Sequence, residues 1–288
     1  MAEARVLHKR HSKMKSIWKR LCKNKAALLG LAILVILILC AVFAEYVAPY
    51  GYDDQAYSRK FLAPSLEFPM GTDQVGRCIF SRVIYGSRIS LEVGLIAVGI
   101  AAIAGIILGA FAGYYSKADN PIMRVMDIFQ SIPNTLLAIC IAAALGEGLS
   151  NVMLAVGISE IPRYARVVRG QVLTLKNSEF VEAIRAVGSS DFRIIFVHIL
   201  PNCIAPLIVQ ITLGVARAII SASALSFIGL GIQPPIPEWG AMLSQGRQFM
   251  RDYWWVVTFP GLMIMLTVYA LNLFGDGLRD ALDPKLKN

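Results

Sequence analysis

Long apolar runs constrain this chain more than any other feature. The first run, residues 26–44, has 19 residues without a charged side chain. As a helix rising about 1.5 Å per residue, it would cross roughly 30 Å of hydrocarbon. Of the 288 residues, 56% are hydrophobic and only 16% are charged, whereas soluble domains have about 25% charged residues. We therefore expect an all-α integral membrane protein.

The basic residues are concentrated before this first run. A net charge of +9 could indicate nucleic-acid binding, but nine of the 28 Lys and Arg lie between Arg5 and Lys25. Such a flank holds the end of a membrane protein in the cytoplasm. A basic flank before an apolar run is also typical of a cleavable signal peptide. Because this run exceeds the usual core of about 7–15 residues, we expect an uncleaved first span instead.

The hydropathy pattern predicts six transmembrane helices with both termini in the cytoplasm. After the first span, they are expected at about 91–115, 122–145, 150–170, 194 to beyond 218, and 253–274. Twenty of the 28 Lys and Arg would then be cytoplasmic, which satisfies the positive-inside rule. The expected divisions are a basic cytoplasmic tail (1–25), the first span (26–48), an external loop with a surface helix (49–90), a five-helix core (91–280) and a cytoplasmic tail (281–288).

Small residues recur every fourth position in the second span. They are Ala97, Ala101, Gly105, Gly109 and Gly113. In lipid, such a stripe allows another helix to approach closely. It predicts helix packing rather than a binding site.

The fourth predicted span is the weakest, because Glu160, Pro162 and Arg163 interrupt its apolar run. Glu160 lies near mid-depth and could line a polar pathway, or it could be a structural partner of Arg163 three residues later. Arg163, Arg166 and Arg169 follow one side, and their simplest interpretation is that they extend toward the inner membrane surface. The pathway candidates are Glu160, Arg163, Gln210 and Arg217.

The sequence indicates no catalytic residue and no metal site. It lacks the G-x-x-x-x-G-K-[ST] phosphate-binding loop, so it cannot hydrolyse ATP by that route. The five cysteines are scattered, without the paired spacing of a disulfide or metal framework. His198 is a lone histidine near the start of a span, and we expect it to pack or form a hydrogen bond.

Residues 178–188 form a polar interlude with the pattern of a short amphipathic helix. Phe180, Ile184 and Val187 fall on one face, and Gly188 can end the helix because glycine adopts the left-handed conformation at low cost. A short helix between two spans is expected to find no apolar side chains of its own chain against which to bury its apolar face. It could dock in a groove of a soluble partner or lie on lipid headgroups, and periodicity leaves both possibilities open.

The residues of this stretch resemble a known cytoplasmic loop. Glu182-Ala183, then Gly188, then Leu200-Pro201 are similar to the loop of permease subunits of bacterial ABC importers. In that family the loop forms the coupling helix, which sits in a cleft of the ATP-hydrolysing subunit. The resemblance implies an ATPase-docking helix of Phe180, Glu182, Ala183, Ile184, Arg185, Val187 and Gly188. Ile184 replaces a small residue of the family pattern, and His198 stands where an aliphatic residue is common.

Three further segments resemble the dipeptide, oligopeptide and nickel branch of these importers. They are Met70-Gly-Thr-Asp-Gln-Val-Gly-Arg77 with the residues up to Leu91, Gln233-Pro-Pro-Ile-Pro-Glu-Trp-Gly240, and the final residues 275–284. The resemblance covers nearly everything after Ala26. Cys78 stands where the branch usually has an acidic residue, so the sequence does not decide whether a local ion pair forms here.

The resemblance implies a type I ABC importer permease fold with a cytoplasmic coupling helix, in the bacterial cytoplasmic membrane. The implied partners are a homologous second permease, two ATP-binding subunits that hold ATP and Mg²⁺, an external substrate-binding protein and membrane lipid, with no nucleic acid. Dipeptides or oligopeptides are the expected cargo, and nickel or a metal chelate is the alternative. A secondary transporter fits the hydropathy, but it would need no ATPase-docking loop.

Overall fold

The computed structural model of the chain describes residues 18–282. All regular secondary structure within these residues is helical, which confirms the all-α prediction. Residues 1–17 of the predicted basic tail and residues 283–288 of the predicted C-terminal tail lie outside the described residues.

The longer helices follow one another with short connections, apart from two loop regions. They are α1 (Lys25–Val42), α2 (Ile79–Tyr114), α3 (Ser116–Gln130), α4 (Asn134–Leu145), α5 (Leu149–Leu175), α6 (Glu179–Ala186), α7 (Asp191–Phe227), α8 (Trp239–Gly246) and α9 (Trp255–Leu282). Short helical turns occupy Ala44–Val47, Tyr57–Arg59 and Arg247–Phe249. Near its start, α7 includes a π-helical segment, Ile194–Ile199, and a 3₁₀ turn, Leu200–Cys203.

Four of these helices are long and apolar enough to cross a membrane. They are α1, α2, α7 and α9, and α3 with α4 would supply a fifth if the two form one bent span. Helix α5 has 27 residues, but the charges at Glu160, Arg163, Arg166 and Arg169 lower its hydropathy. The count of six spans therefore stays a prediction.

The predicted third span, residues 122–145, is not one straight helix. It is divided between α3 and α4, which meet at an angle of 89°. Pro133 lies at the break. Proline has no backbone N–H and disfavours helical conformation in the residue before it, so the chain turns there and α4 begins anew at Asn134.

Helix α2 is longer than the predicted second span. Its 36 residues extend about 54 Å at 1.5 Å per residue, well beyond a hydrocarbon core of roughly 30 Å. Residues 79–90, expected as a separate surface helix, are instead the first turns of this unbroken helix. The expected boundary near residue 90 thus falls inside α2.

The stripe of small residues on α2 packs against α5, as the sequence predicted. A Cβ atom added at Gly109 would lie 2.9 Å from the Cβ of Val168, and one added at Gly113 would lie 2.7 Å from the Cβ of Val172. Real Cβ contacts essentially never approach below 3.0 Å. The two helices are therefore close enough that side chains on this face would force them apart.

The loops at 49–78 and 228–254, here called the loop cap, cover the first turns of α2. Arg77 Nε lies 2.6 Å from Asp73 Oδ2, and Cys78 is buried beside them. Arg82 is only 1% exposed and donates to the carbonyls of Tyr52 and Pro235. Arg77 therefore forms an ion pair although position 78 is a cysteine, because Asp73 supplies the carboxylate.

The motif at 233–240 fixes the loop cap to α2. Glu238 caps α8, since its side-chain oxygens accept from the backbone N–H groups of Gly240 and Ala241 at 2.9 and 2.8 Å. Trp239 is fully buried and its Nε1 donates to the Val83 carbonyl at 3.1 Å. Buried N-capping and a buried indole with its N–H satisfied are both stabilising. The role of this motif visible in the structure is thus to hold the cap in place.

Candidate functional site

Helix α6 ends at Ala186, and Gly188 terminates it as the sequence predicted. Gly188 has φ +85°, its N–H donates to the Arg185 carbonyl at 2.9 Å, and the Ser189 N–H donates to the Ile184 carbonyl at 3.4 Å. This pair of bonds is a Schellman motif. A Cβ at position 188 would meet nothing within 4 Å. Glycine is favoured here for its backbone conformation alone.

One face of α6 is buried against the helices of its own chain, contrary to the sequence prediction. Val181 is fully buried in a cluster with Val168, Val172, Ile194 and Ile195. Ile184 packs half-buried against the same cluster, so it does not share an exposed face with Phe180 and Val187. The cause is that α5 and the start of α7 present apolar side chains to this one face of α6.

The opposite face of α6 is open. Val187 is 87% exposed and Phe180 is 39% exposed. The remaining predicted docking residues, Glu182, Ala183, Arg185 and Gly188, are also exposed. Two apolar side chains beside a small residue and opposite charges form a surface suited to the groove of a protein partner.

A hydrogen bond connects α6 to the end of α2, and another one continues from there to the start of α7. The Tyr114 hydroxyl, at the end of α2, donates to Asp191 Oδ1 at 2.7 Å and accepts from Arg185 Nη2 at 3.4 Å. This second hydrogen bond raises the pKa of Arg185. Sequence reasoning missed Tyr114 and Asp191, whose only signal is their position at helix ends. Through them, α6 is joined to both α2 and α7.

Three of the four pathway candidates lie together. The Glu160 carboxylate is 5% exposed, 3.2 Å from Arg163 Nε and 3.7 Å from Arg217 Nε. Asn134, the first residue of α4, donates from Nδ2 to Glu160 Oε1 at 2.9 Å. We call these four residues the Glu160 cluster. Glu160 is thus the partner of Arg163, which was one of the two alternatives. Asn134 was missed because it lies 26 residues before Glu160.

Gln210 does not join this cluster. Its side chain lines an open cavity of about 420 Å³ between α5, α7 and α9. Its backbone carbonyl accepts from the hydroxyl of Tyr164 at 3.3 Å, and Tyr164 is fully buried.

Arg166 and Arg169 form ion pairs with α3, so extension toward the membrane surface does not fully describe them. Arg166 Nη2 is 2.6 Å from Asp127 Oδ1, and Arg169 Nη2 donates to Asp119 Oδ2 at 2.7 Å. Both contacts join α5 to α3. Of the three arginines at positions 163, 166 and 169, Arg163 instead pairs with Glu160.

The described residues contain no group of three or more His, Cys, Asp or Glu side chains placed to hold a metal ion. The five cysteines, at positions 22, 40, 78, 140 and 203, are free thiols. His198 lies half-buried in the π-helical segment of α7.

Comparison with known proteins identifies the class. A chain of the MetNI methionine ABC transporter, solved in inward-facing conformations, matches with a TM-score of 0.58 at 17% identity, over 70% of this chain and 96% of that chain. At this identity the match shows a shared fold. The family model for the binding-protein-dependent transport system inner membrane component matches residues 103–288, and the chain belongs to this family of transport permeases. A second model, the N-terminal TM domain of oligopeptide transport permease C, matches residues 12–64.

Relatives with assigned roles align over almost the whole chain. The di/tripeptide transport system permease protein DppC of Pseudomonas aeruginosa is 48% identical, over 96% of this chain and 94% of that protein. The dipeptide transport system permease protein DppC of Alkalihalophilus pseudofirmus is 49% identical, over 96% and 91%. The glutathione transport system permease protein GsiD of Escherichia coli is 47% identical, over 94% and 90%.

Proposed function

We propose that this chain is one permease subunit of an ATP-driven importer that moves dipeptides or oligopeptides into the cell. The observation that carries the proposal is α6, whose open face is available to a partner while its other face is fixed to α5 and α7. The names of the relatives, which refer to dipeptides, di/tripeptides and glutathione, favour a peptide cargo.

In the proposed assembly, this chain pairs with a homologous second permease. Two ATP-binding subunits, which hold ATP and Mg²⁺, each receive a coupling helix, and an external binding protein delivers the cargo. Movement of α6 would be transmitted from Arg185 through Tyr114 to α2, and from Tyr114 through Asp191 to α7. Because apolar contacts and hydrogen bonds both join α6 to the membrane helices, it would move together with them rather than as a free loop.

Reconstitution of the complete complex tests this function. We expect liposomes that contain both permeases and both ATP-binding subunits to accumulate a labelled dipeptide when loaded binding protein and ATP are supplied. A non-hydrolysable ATP analogue should stop accumulation. Uptake of nickel without uptake of peptide would contradict the proposed cargo. Peptide uptake that persists without ATP hydrolysis would contradict the proposed coupling.

We further propose that both termini and α6 are cytoplasmic and that the loop cap is external, in a bacterial inner membrane. The basic residues support this orientation, because 20 of the 28 Lys and Arg would be cytoplasmic. In this orientation, the loop cap faces the binding protein and α6 faces the ATP-binding subunits.

Cysteine labelling tests the orientation. Ser58 in the loop cap and Asn177 just before α6 are both exposed, so a cysteine at either position should react when reagent reaches it. In a chain with its native cysteines replaced, an impermeant maleimide added to intact cells should label Ser58→Cys. It should label Asn177→Cys only after the membrane is opened. The reverse pattern would invert the topology.

A further inference from the structure

The Glu160 cluster carries one more positive charge than negative. Two guanidinium groups, those of Arg163 and Arg217, share the single carboxylate of Glu160. Arg163 is the nearer partner at 3.2 Å. Arg217 Nε is 3.7 Å from Glu160 Oε2, too far for a hydrogen bond. Within residues 18–282, Glu160 Oε2 and the Nε and Nη2 atoms of Arg217 are all buried without a hydrogen-bond partner. Guanidinium groups in such places normally bind acceptors, and carboxylates suit them best because they can bind in a bidentate manner.

The position of the cluster makes this excess charge unusual. Glu160 lies near the middle of α5 (Leu149–Leu175), and Arg217 lies near the middle of Ile204–Phe227, the regular α-helical part of α7. The Arg163 side chain is 43% exposed and that of Arg217 is 30% exposed. Charged side chains at mid-membrane depth face a protein partner or a water-filled path rather than lipid. In the proposed membrane orientation, the exposed parts of Arg163 and Arg217 would therefore face protein or water.

The broken helix adds to the positive potential at the same place. Helix α4 starts at Asn134, directly after the 89° turn, and Asn134 touches Glu160. Its N-cap, Pro133, provides no side-chain hydrogen bond to the first turn. The N-terminus of a 12-residue helix carries a partial positive charge, and in some secondary transporters such ends of interrupted helices point at anionic groups of the cargo.

We propose that Arg217, supported by Arg163 and the start of α4, receives the α-carboxylate of the peptide during its passage. This inference rests on the proposed peptide-import function. Dipeptides, tripeptides and glutathione, for which the relatives are named, all have a free carboxylate at the end of a short amide chain. In this role Glu160 is a positioning residue, because it holds Arg163 and orients Arg217 without touching the cargo.

The test compares a labelled tripeptide with its C-terminal amide, in liposomes that contain the complete complex. Wild-type complex and the Arg217→Gln variant are supplied with the same loaded binding protein at saturating concentration. The binding protein's own selectivity cancels when the acid-to-amide ratio of the variant is divided by that of the wild type. We expect Arg217→Gln to slow transport of the free acid by about tenfold or more, the size of change for one lost charge-assisted hydrogen bond, and to leave the amide nearly unaffected.

Two further variants keep the result interpretable. Arg217→Lys retains the charge and should keep part of the preference for the free acid. Arg166→Gln removes the arginine that pairs with Asp127 of α3, outside the Glu160 cluster. It should leave the acid-to-amide ratio unchanged. Complex yield after purification is measured for every variant, and only rates per assembled complex are compared.

The outcomes separate the two proposals. Equal slowing of both peptides by Arg217→Gln, or loss of the second permease on purification, would show that Arg217 pairs with a carboxylate of the assembly and would overturn the inference. Unchanged rates for both peptides would also overturn it. Failure of the wild-type complex to transport any peptide would overturn the proposed function itself.

Discussion

A tryptophan in place of Ala183 should leave the permease in the membrane and abolish ATP-driven transport. Ala183 lies on the open face of α6, where we propose that the ATP-binding subunit makes contact. Overpacking a fitted surface costs roughly 1–3 kcal/mol or more, and about 1.4 kcal/mol changes an equilibrium constant tenfold. We therefore expect at least about a tenfold loss of ATP-binding subunit on co-purification, or ATP hydrolysis without transport.

Two control variants distinguish docking from general damage. Ala183→Ser keeps a small side chain and should transport at close to the normal rate. Ser58→Trp adds the same bulk at an exposed small residue of the loop cap, which covers the other end of α2 from α6, and should leave co-purification of the ATP-binding subunit unchanged. Normal transport by Ala183→Trp would mean that α6 is only a surface helix, and the docking proposal would fail.

Leucine at Gly109 should prevent the permease from assembling. The added Cβ alone would lie 2.9 Å from the Cβ of Val168, and the rest of the side chain has no free space between α2 and α5. Because the hydrophobic effect does not drive helices together within lipid, their association depends on close van der Waals packing. Separating them would remove that contact along the whole stripe. We expect almost no assembled complex, measured as the yield of second permease and ATP-binding subunits co-purified with this chain.

Gly99 provides a matched control on the same helix. A Cβ at position 99 would meet nothing within 4 Å, so Gly99→Leu should assemble with a yield close to that of the wild type. Equal loss of assembly by Gly99→Leu would show that replacing a glycine of α2 with leucine is harmful whichever face it lies on. Full assembly with Leu at position 109 would show that α2 and α5 are not packed as the structure describes.

The ends of α6 and the stripe on α2 could be predicted because both depend on local sequence. Gly188 ends its helix through a backbone conformation that glycine adopts at little cost, and residues at 105, 109 and 113 share a face through helical geometry alone. The membrane class follows from the length of the apolar runs. The orientation of Ile184 could not be predicted in the same way, because it depends on where α5 and α7 lie.

The sequence by itself therefore determined that this chain is a helical membrane permease, where its loop helix ends and which face of α2 must stay small. These properties are set by residues within a few helical turns of one another. Only the tertiary structure decided that Glu160 meets Asn134 and Arg217 and that Asp73 neutralises Arg77. It also decided that one face of α6 packs against α5 and α7. Those contacts join residues that are distant in the chain or whose partners depend on helix packing. Periodicity gives the face of a helix, but it does not give the neighbour that the face will meet.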